Sequence, residues 1–285
     1  MHIKRDTKGK LDEGILYDLS ESFGIDILFY KKILNGNMKD TYIINTKNKK
    51  YIAQRYKYGD FYLKKFNFIN IHLKQLEDSK TKIAYPKFLT TIDGQYFVHG
   101  YTLQKFLQGE SSLCYTLEKA FSAALALRTF HSFTFDIKEK MTVWKREDPI
   151  NVDKQIITTA KNYGYGVIHG EFRLRNMLFN GNNVSAILDF DSICYSNRYH
   201  DIAYLIADFI ENNFSSKDLY IKTIHQAYSS GEINIASAYA ALLIHYIDYV
   251  KKCETGFLKN NKPLSISEIK RLITFLEDKY YEYIR

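Results

Sequence analysis

The sequence predicts an α+β chain of two lobes, a small amino-terminal antiparallel sheet with one helix (residues 1–107) and a larger, mostly helical lobe (residues 108–285). Three observations carry this. β-rich runs separated by turn residues fill the first third, helical periodicity takes over after Gly109, and a polar loop between short apolar strands interrupts the helical part. A length of 285 residues suits one large domain or two ordinary ones, so the pattern and not the length decides. With 46% hydrophobic and 25% charged residues, the chain has enough apolar surface to offset the entropy of ordering.

In chain order, Ile27–Leu34, Thr41–Thr46 and Tyr51–Tyr56 are β-rich runs divided by Asn/Gly/Lys clusters, as in a small antiparallel sheet. Residues 61–77 place Phe66, Ile69, Leu73 and Leu76 at helical spacing, and Tyr96–Leu107 is again extended. Leu117–Phe133 reads as a helix with Leu117, Phe121, Ala124, Leu125 and Leu127 on its apolar face. Val167-Ile168 and Met177–Phe179 read as short strands, followed by a turn at Asn180–Asn183 and a strand at Val184–Leu188. Helices follow at Asp201–Asn212, Ile235–Cys253 and Ser267–Ile284, the last opened by Ser265 and Glu268 at capping-box spacing.

Composition narrows the function classes. No apolar run of leader or anchor length follows Met1, so a cytoplasmic protein with no membrane partner is expected. Cys114, Cys194 and Cys253 are scattered and lack ligand spacing, which predicts buried free thiols. The net charge is +8, but residues 1–107 hold 19 Lys/Arg against 11 Asp/Glu and the rest 21 against 21. With no basic stripe interleaved with aromatics, and with Lys47, Lys49 and Lys50 in a hairpin turn, no nucleic-acid partner is expected.

The chemistry concentrates in residues 167–191. A hairpin through Asn180–Asn183 would bring Asn176 beside Asp189. Magnesium-dependent phosphoryl transfer needs an amide oxygen and a carboxylate on the ions and a further carboxylate to orient the attacking hydroxyl; Glu171, Asn176 and Asp189 offer that set. Asp191, on the same face two residues on, reads equally as a second metal ligand or a turn former. Asp201, at an expected helix start, is placed to cap that helix and brace the loop, and His169 reads as a loop-bracing histidine and not a base. His131 and His245 lie in apolar helices without metal-like partners, so no zinc is expected. Arg173 and Arg175 read either as anion contacts or as solvated loop residues.

The spaced combination HGExxxxN (His169–Asn176), LDFD (Leu188–Asp191) and RYHDIA (Arg198–Ala203) resembles the aminoglycoside phosphotransferase and choline kinase superfamily, which shares the protein-kinase-like fold. The resemblance covers roughly residues 30–210 and implies a bilobal, ATP-dependent kinase with magnesium on Asn176 and Asp189. Glu171 stands where that family has its catalytic aspartate. The pair NxxDTY (from Asn37) and YIAQR (Tyr51–Arg55) is also similar to bacterial N-acetylhexosamine kinases. Kinase strand spacing would set Ala53 at adenine and a cation, Arg55, at phosphate, while another alignment puts the uncharged Gln54 in that place; Asn37 lies in the expected phosphate-covering loop. The following helix offers no clear glutamate partner: Glu77 is late, and Asn67 and Asn70 hold the expected turn.

These readings converge on transfer of the ATP γ-phosphate to a hydroxyl of a small molecule. A sugar or amino alcohol is favoured over an aminoglycoside, because 11 acidic against 10 basic residues in 200–285 give no dense carboxylate pocket. The alternative is a weak or inactive pseudokinase that binds nucleotide or a partner. Glutamate adds a methylene and moves the carboxylate by roughly an ångström where position governs rate.

Overall fold

The computed structural model describes residues 4–5, 11–33, 40–56, 60–78, 81–133, 152–260 and 262–285. The chain divides into two compact units, Met1–Gln108 and Gly109–Arg285. Among the described residues no helix is long and apolar enough to cross a membrane.

In the first unit five strands pair in the order β1-β2-β3-β4-β5. These are β1 (Lys4–Arg5), β2 (Phe29–Ile33), β3 (Asp40–Asn45), β4 (Lys50–Arg55) and β5 (Tyr101–Lys105). β2 to β5 are antiparallel, as predicted, while the two-residue β1 adds a parallel edge. The extended reading of Tyr96–Leu107 contracts to β5 because His99 and Gly100 both adopt positive φ (50° and 78°) and turn the chain just before it.

Helix α2 (Asp60–Asp78) buries Phe66, Ile69, Leu73 and Leu76, the predicted face. A further helix, α1 (Glu13–Phe23), stands outside the predicted elements, although its signals are present. The Asp12 carboxylate accepts from Gly14 N at 2.8 Å, Gly24 closes the helix at φ 60°, and Leu16, Leu19 and Phe23 are buried at helical spacing. Those side chains join Tyr30, Tyr42, Ile44, Ala53 and Leu103 in one core.

The second unit holds helices α3 (Leu117–Ser132), α4 (Lys154–Ala160), α5 (Tyr199–Asn212), α6 (Lys217–Ser229), α7 (Ala236–Glu254) and α8 (Ile266–Ile284), with two antiparallel ladders. One pairs β6 (Tyr165–Ile168) with β9 (Cys194–Asn197); the other pairs β7 (Met177–Asn180) with β8 (Asn183–Ile187). The Ser265 capping box is present at the start of α8. On α3 the expected face is displaced: Phe121 and Leu125 are exposed, and Ala120, Ala123, Ala124, Leu127, Phe130 and His131 are buried. Alanines let α3 and α6 approach closely, so the small-residue stripe faces inward.

The cysteines depart from expectation. Only Cys194 is buried; Cys114 is exposed and Cys253 half-buried, and all three are free. Cys114 lies in the segment before α3, and Cys253 near the end of α7, where few side chains surround them.

Candidate active site

The loop from His169 to Asn176 leaves β6, closes in a 3-10 turn at Leu174–Asn176 and enters β7. Three hydrogen bonds tie it together and to the end of β8. His169 Nε2 donates to Leu188 O at 2.8 Å, Leu188 N donates to Asn176 O at 2.8 Å, and Asn176 Nδ2 donates to Glu171 O at 2.9 Å. Glu171, Asn176 and the neighbourhood of Asp189 are thereby gathered around one loop. His169 is fully buried against Phe172 and Phe190 and accepts from Glu171 N at 3.3 Å through Nδ1, so the two bonds select its Nε2-protonated tautomer.

Backbone geometry reinforces the arrangement. Gly170 has φ 85°, and a Cβ there would lie 2.2 Å from Ser192 O, so only glycine allows the loop to touch the 3-10 turn at Phe190–Ser192. Asp189 holds φ 57°, ψ 64°, a left-handed conformation that asparagine and aspartate tolerate better than most side chains. It re-aims the chain as β8 ends.

Asp201 underlies the loop. It is the third residue of α5, which begins at Tyr199, so it braces from the first turn; Arg198 occupies the cap position. Its Oδ2 accepts from His169 N at 2.7 Å and from His131 Nε2 at 3.0 Å, and its Oδ1 accepts from Gly170 N at 2.8 Å. Burial pushes the Asp201 carboxyl up, but the hydrogen bonds it accepts from His131 and from the His169 amide prevail and hold it below the ordinary range. Burial drives His131 down against the pull of Asp201; its Nδ1 lies 2.8 Å from Tyr228 Oη. An anionic Asp201 accepting from a neutral His131, which in turn accepts from Tyr228, satisfies every partner.

The Glu171 carboxylate meets Arg175 Nη2 at 3.4 Å and Ser192 Oγ at 3.3 Å, on the exposed side of the loop. With its amide nitrogen committed to Glu171, Asn176 presents Oδ1 as the atom able to take a cation. Asp191 sits in the 3-10 turn directly after Asp189. Among the described residues, no group of three or more His, Cys, Asp or Glu side chains is gathered to hold a metal. An amide oxygen with one or two carboxylates is a hard, oxygen-only donor set. It fits magnesium, which uses few protein ligands and completes its shell with water and phosphate, and does not fit zinc.

In the first unit, Ala53 is fully buried in β4, Arg55 is exposed at its end with its guanidinium 5.7 Å from the Tyr101 ring, and Gln54 accepts from Gln104 at 2.8 Å. Asn37 lies outside the described residues. Glu77, late in α2, pairs with Lys87.

Sequence reasoning passes over a polar cluster next to the loop. Leu174 N donates to Asp208 Oδ2 at 2.8 Å, the Arg173 guanidinium lies over Tyr204 at 4.7 Å, and Glu211 accepts from Tyr246 Oη at 3.0 Å and pairs with Lys262. Asp201, Asp208 and Glu211 recur at helical spacing on α5, a signal that marks the acidic members. No local pattern marks Lys262, which reaches them from the segment before α8.

The sequence profile of the phosphotransferase enzyme family (APH) matches residues 30–240. The chain belongs to that family. Among solved structures, an aminoglycoside phosphotransferase from Alicyclobacillus acidocaldarius superposes with a TM-score of 0.65 at 16% identity, covering 98% of each chain. The streptomycin-ATP-APH(2'')-IIa ternary complex gives 0.62 at 15% identity over 89% of this chain and 93% of that one. Macrolide 2'-phosphotransferase from Brachybacterium faecium, crystallised as the apoenzyme, gives 0.61 at 11% identity over 86% and 94%. At such identities the likeness establishes the fold, and the α+β, protein-kinase-like architecture expected from the sequence is the one found. No curated protein sequence matches the phosphotransferase chain.

Proposed function

We propose that this phosphotransferase transfers the γ-phosphate of ATP to a hydroxyl of a small molecule, with a sugar or amino alcohol favoured over an aminoglycoside. The observation that carries the reading is the set of bonds from His169 to Leu188, Leu188 to Asn176 and Asn176 to the Glu171 carbonyl, which brings the backbone of Glu171, Asn176 and the segment bearing Asp189 together around one loop. Asn176 and Asp189, with Asp191 as a further candidate, would hold magnesium, which supplies charge neutralisation at the phosphates. Glu171 orients the acceptor hydroxyl and takes its proton as the oxygen attacks phosphorus. Ala53, Arg55 or Gln54, and Asn37 are assigned to the nucleotide, Ala53 beside adenine and the Arg55 cation or the uncharged Gln54 at phosphate. His169 and Asp201 hold the loop without touching substrate.

A second reading, a nucleotide-binding pseudokinase, draws on the contacts of the Glu171 carboxylate with Arg175 and Ser192, which an acceptor hydroxyl must displace. Incubating the protein with ATP, magnesium and a panel of sugars, amino alcohols and aminoglycosides, and following ADP and phosphorylated product, separates the two. Turnover of a panel member supports the kinase. Nucleotide binding without turnover in the wild type, with turnover restored in Glu171→Asp, supports the pseudokinase.

A further inference from the structure

The hydroxyl of Ser192 stands where the proposed chemistry needs an acceptor. Its Oγ donates to Glu171 Oε1 at 3.3 Å, so the carboxylate assigned to take an acceptor's proton already meets a hydroxyl of this chain. A general base has to come within hydrogen-bond distance of the proton it removes, and such bonds are often long before substrates close around them. Arg175 Nη2 lies 3.4 Å from Oε2, so the two contacts fall on different oxygens of the carboxylate.

The backbone holds Ser192 in that place. The residue closes the 3-10 turn at Phe190–Ser192, where Ile193 N donates to Phe190 O at 3.1 Å. A Cβ on Gly170 would fall on Ser192 O and within 2.8 Å of Ser192 Cβ, so the turn is seated on the backbone that leads into Glu171. Ser192 is half-buried and the Glu171 side chain is 39% exposed, which leaves the pair open to an approaching phosphate. Asp191 shares the turn and Asp189 directly precedes it, so the residues assigned to magnesium adjoin Ser192 in the chain. Glutamate in place of the family's aspartate bears on the contact: a side chain one methylene shorter would draw the carboxylate back by roughly an ångström, out of hydrogen-bond distance of the serine.

We propose that Ser192 is a site of self-phosphorylation, the γ-phosphate of ATP passing to its hydroxyl within one molecule. The bond from Ser192 Oγ to the γ-phosphorus forms as the bond from that phosphorus to the bridging oxygen breaks; ADP leaves, and the hydroxyl proton goes to Glu171 Oε1. This rests on the phosphotransferase reading for the role of Glu171 and adds a second acceptor inside the chain. The product limits its own formation, because a phosphoserine of charge about −1.5 to −2 beside Glu171 and Asp191 repels the phosphates of further ATP.

The test needs no external acceptor. The full chain, first treated with a phosphatase, is incubated with ATP and magnesium, and the phosphate is located by peptide mass spectrometry. One phosphoryl group on Ser192 is expected, absent in Ser192→Ala, at a fractional rate independent of protein concentration. Glu171→Gln keeps the shape of the side chain and still accepts from Ser192, and should slow the reaction about a hundredfold through loss of the base alone. Glu171→Asp should slow it about tenfold or more, with circular dichroism to show that both variants are folded. Calorimetry with a non-hydrolysable ATP analogue should show binding about tenfold weaker in the phosphorylated protein than in the unmodified one. Phosphate only at other residues, phosphate on Ser192 at an undiminished rate in Glu171→Gln, or a fractional rate that rises with protein concentration overturns the inference. Phosphorylation of a sugar or amino alcohol with Ser192 left unmodified overturns the inference and leaves the phosphotransferase reading standing; phosphate on neither the protein nor any compound removes both.

Discussion

Replacing Asp201 with alanine removes a fully buried carboxylate that accepts from His169 N, Gly170 N and His131 Nε2 at 2.7, 2.8 and 3.0 Å. Hydrogen bonds to a charged acceptor contribute about 1.5–3 kcal/mol each, and losing one partner of a buried charged network costs about 3–5 kcal/mol in total because the donors are left without water. The expected loss is therefore about 4 kcal/mol, a large share of the roughly 5–15 kcal/mol that holds a domain together. The Asp201→Asn substitution keeps one acceptor oxygen but turns an NH₂ toward a donor, and should cost about half as much. Urea denaturation followed by circular dichroism gives the global loss. Amide hydrogen exchange at residues 169 and 170 gives the local one, and their protection should fall first. A loss below about 1 kcal/mol with protection retained would refute the assignment of Asp201 as the brace of the loop at residues 169–176.

Three further outcomes follow from the same geometry. Gly170→Ala should destabilise the second unit by about 2 kcal/mol or more and abolish activity, because the added carbon meets Ser192 O at 2.2 Å while φ stays positive; thermal denaturation reads the first and ADP release the second. Acid should weaken the fold in two steps. Burial lowers the His131 pKa from 6.5, so the unfolded chain binds a proton that the folded one does not as pH falls below 6.5; the Asp201 contribution, from a carboxyl held below its ordinary 3.8, is lost only as pH falls through and below that value. Urea midpoints measured across pH should show the first step reduced in His131→Gln. Thiol alkylation followed by mass spectrometry should label Cys114 first, then Cys253, and Cys194 only on unfolding, and an order led by Cys194 would contradict the packing around β9.

Most of what can be read in the sequence lies in local periodicity. The β2–β4 meander, α2, the β7–β8 hairpin and the capping box of α8 follow from alternation, turn residues and caps that act within a few positions. The proximity of Asn176 and Asp189 is legible for the same reason, since a tight turn at Gly181 dictates the register. Helix α1 emerges only when Asp12 and Gly24 are weighed together as its two caps. The α3 face is misread when large apolar residues are preferred to alanines, because it is the partner helix that decides which stripe is buried. The Lys262–Glu211 pair spans 51 positions and the His131–Asp201 pair 70, and no pattern in a single sequence announces a contact of that range.

The central claim is that Glu171, Asn176 and Asp189 carry phosphoryl transfer, and it is tested most directly by product formation from ATP and magnesium in the wild type beside Glu171→Ala and Asp189→Ala, with circular dichroism to show that each variant is folded. Turnover of an acceptor hydroxyl that falls by about a hundredfold or more in both variants, with nucleotide still bound by Glu171→Ala, is the predicted result. Turnover that survives either substitution undiminished would contradict it.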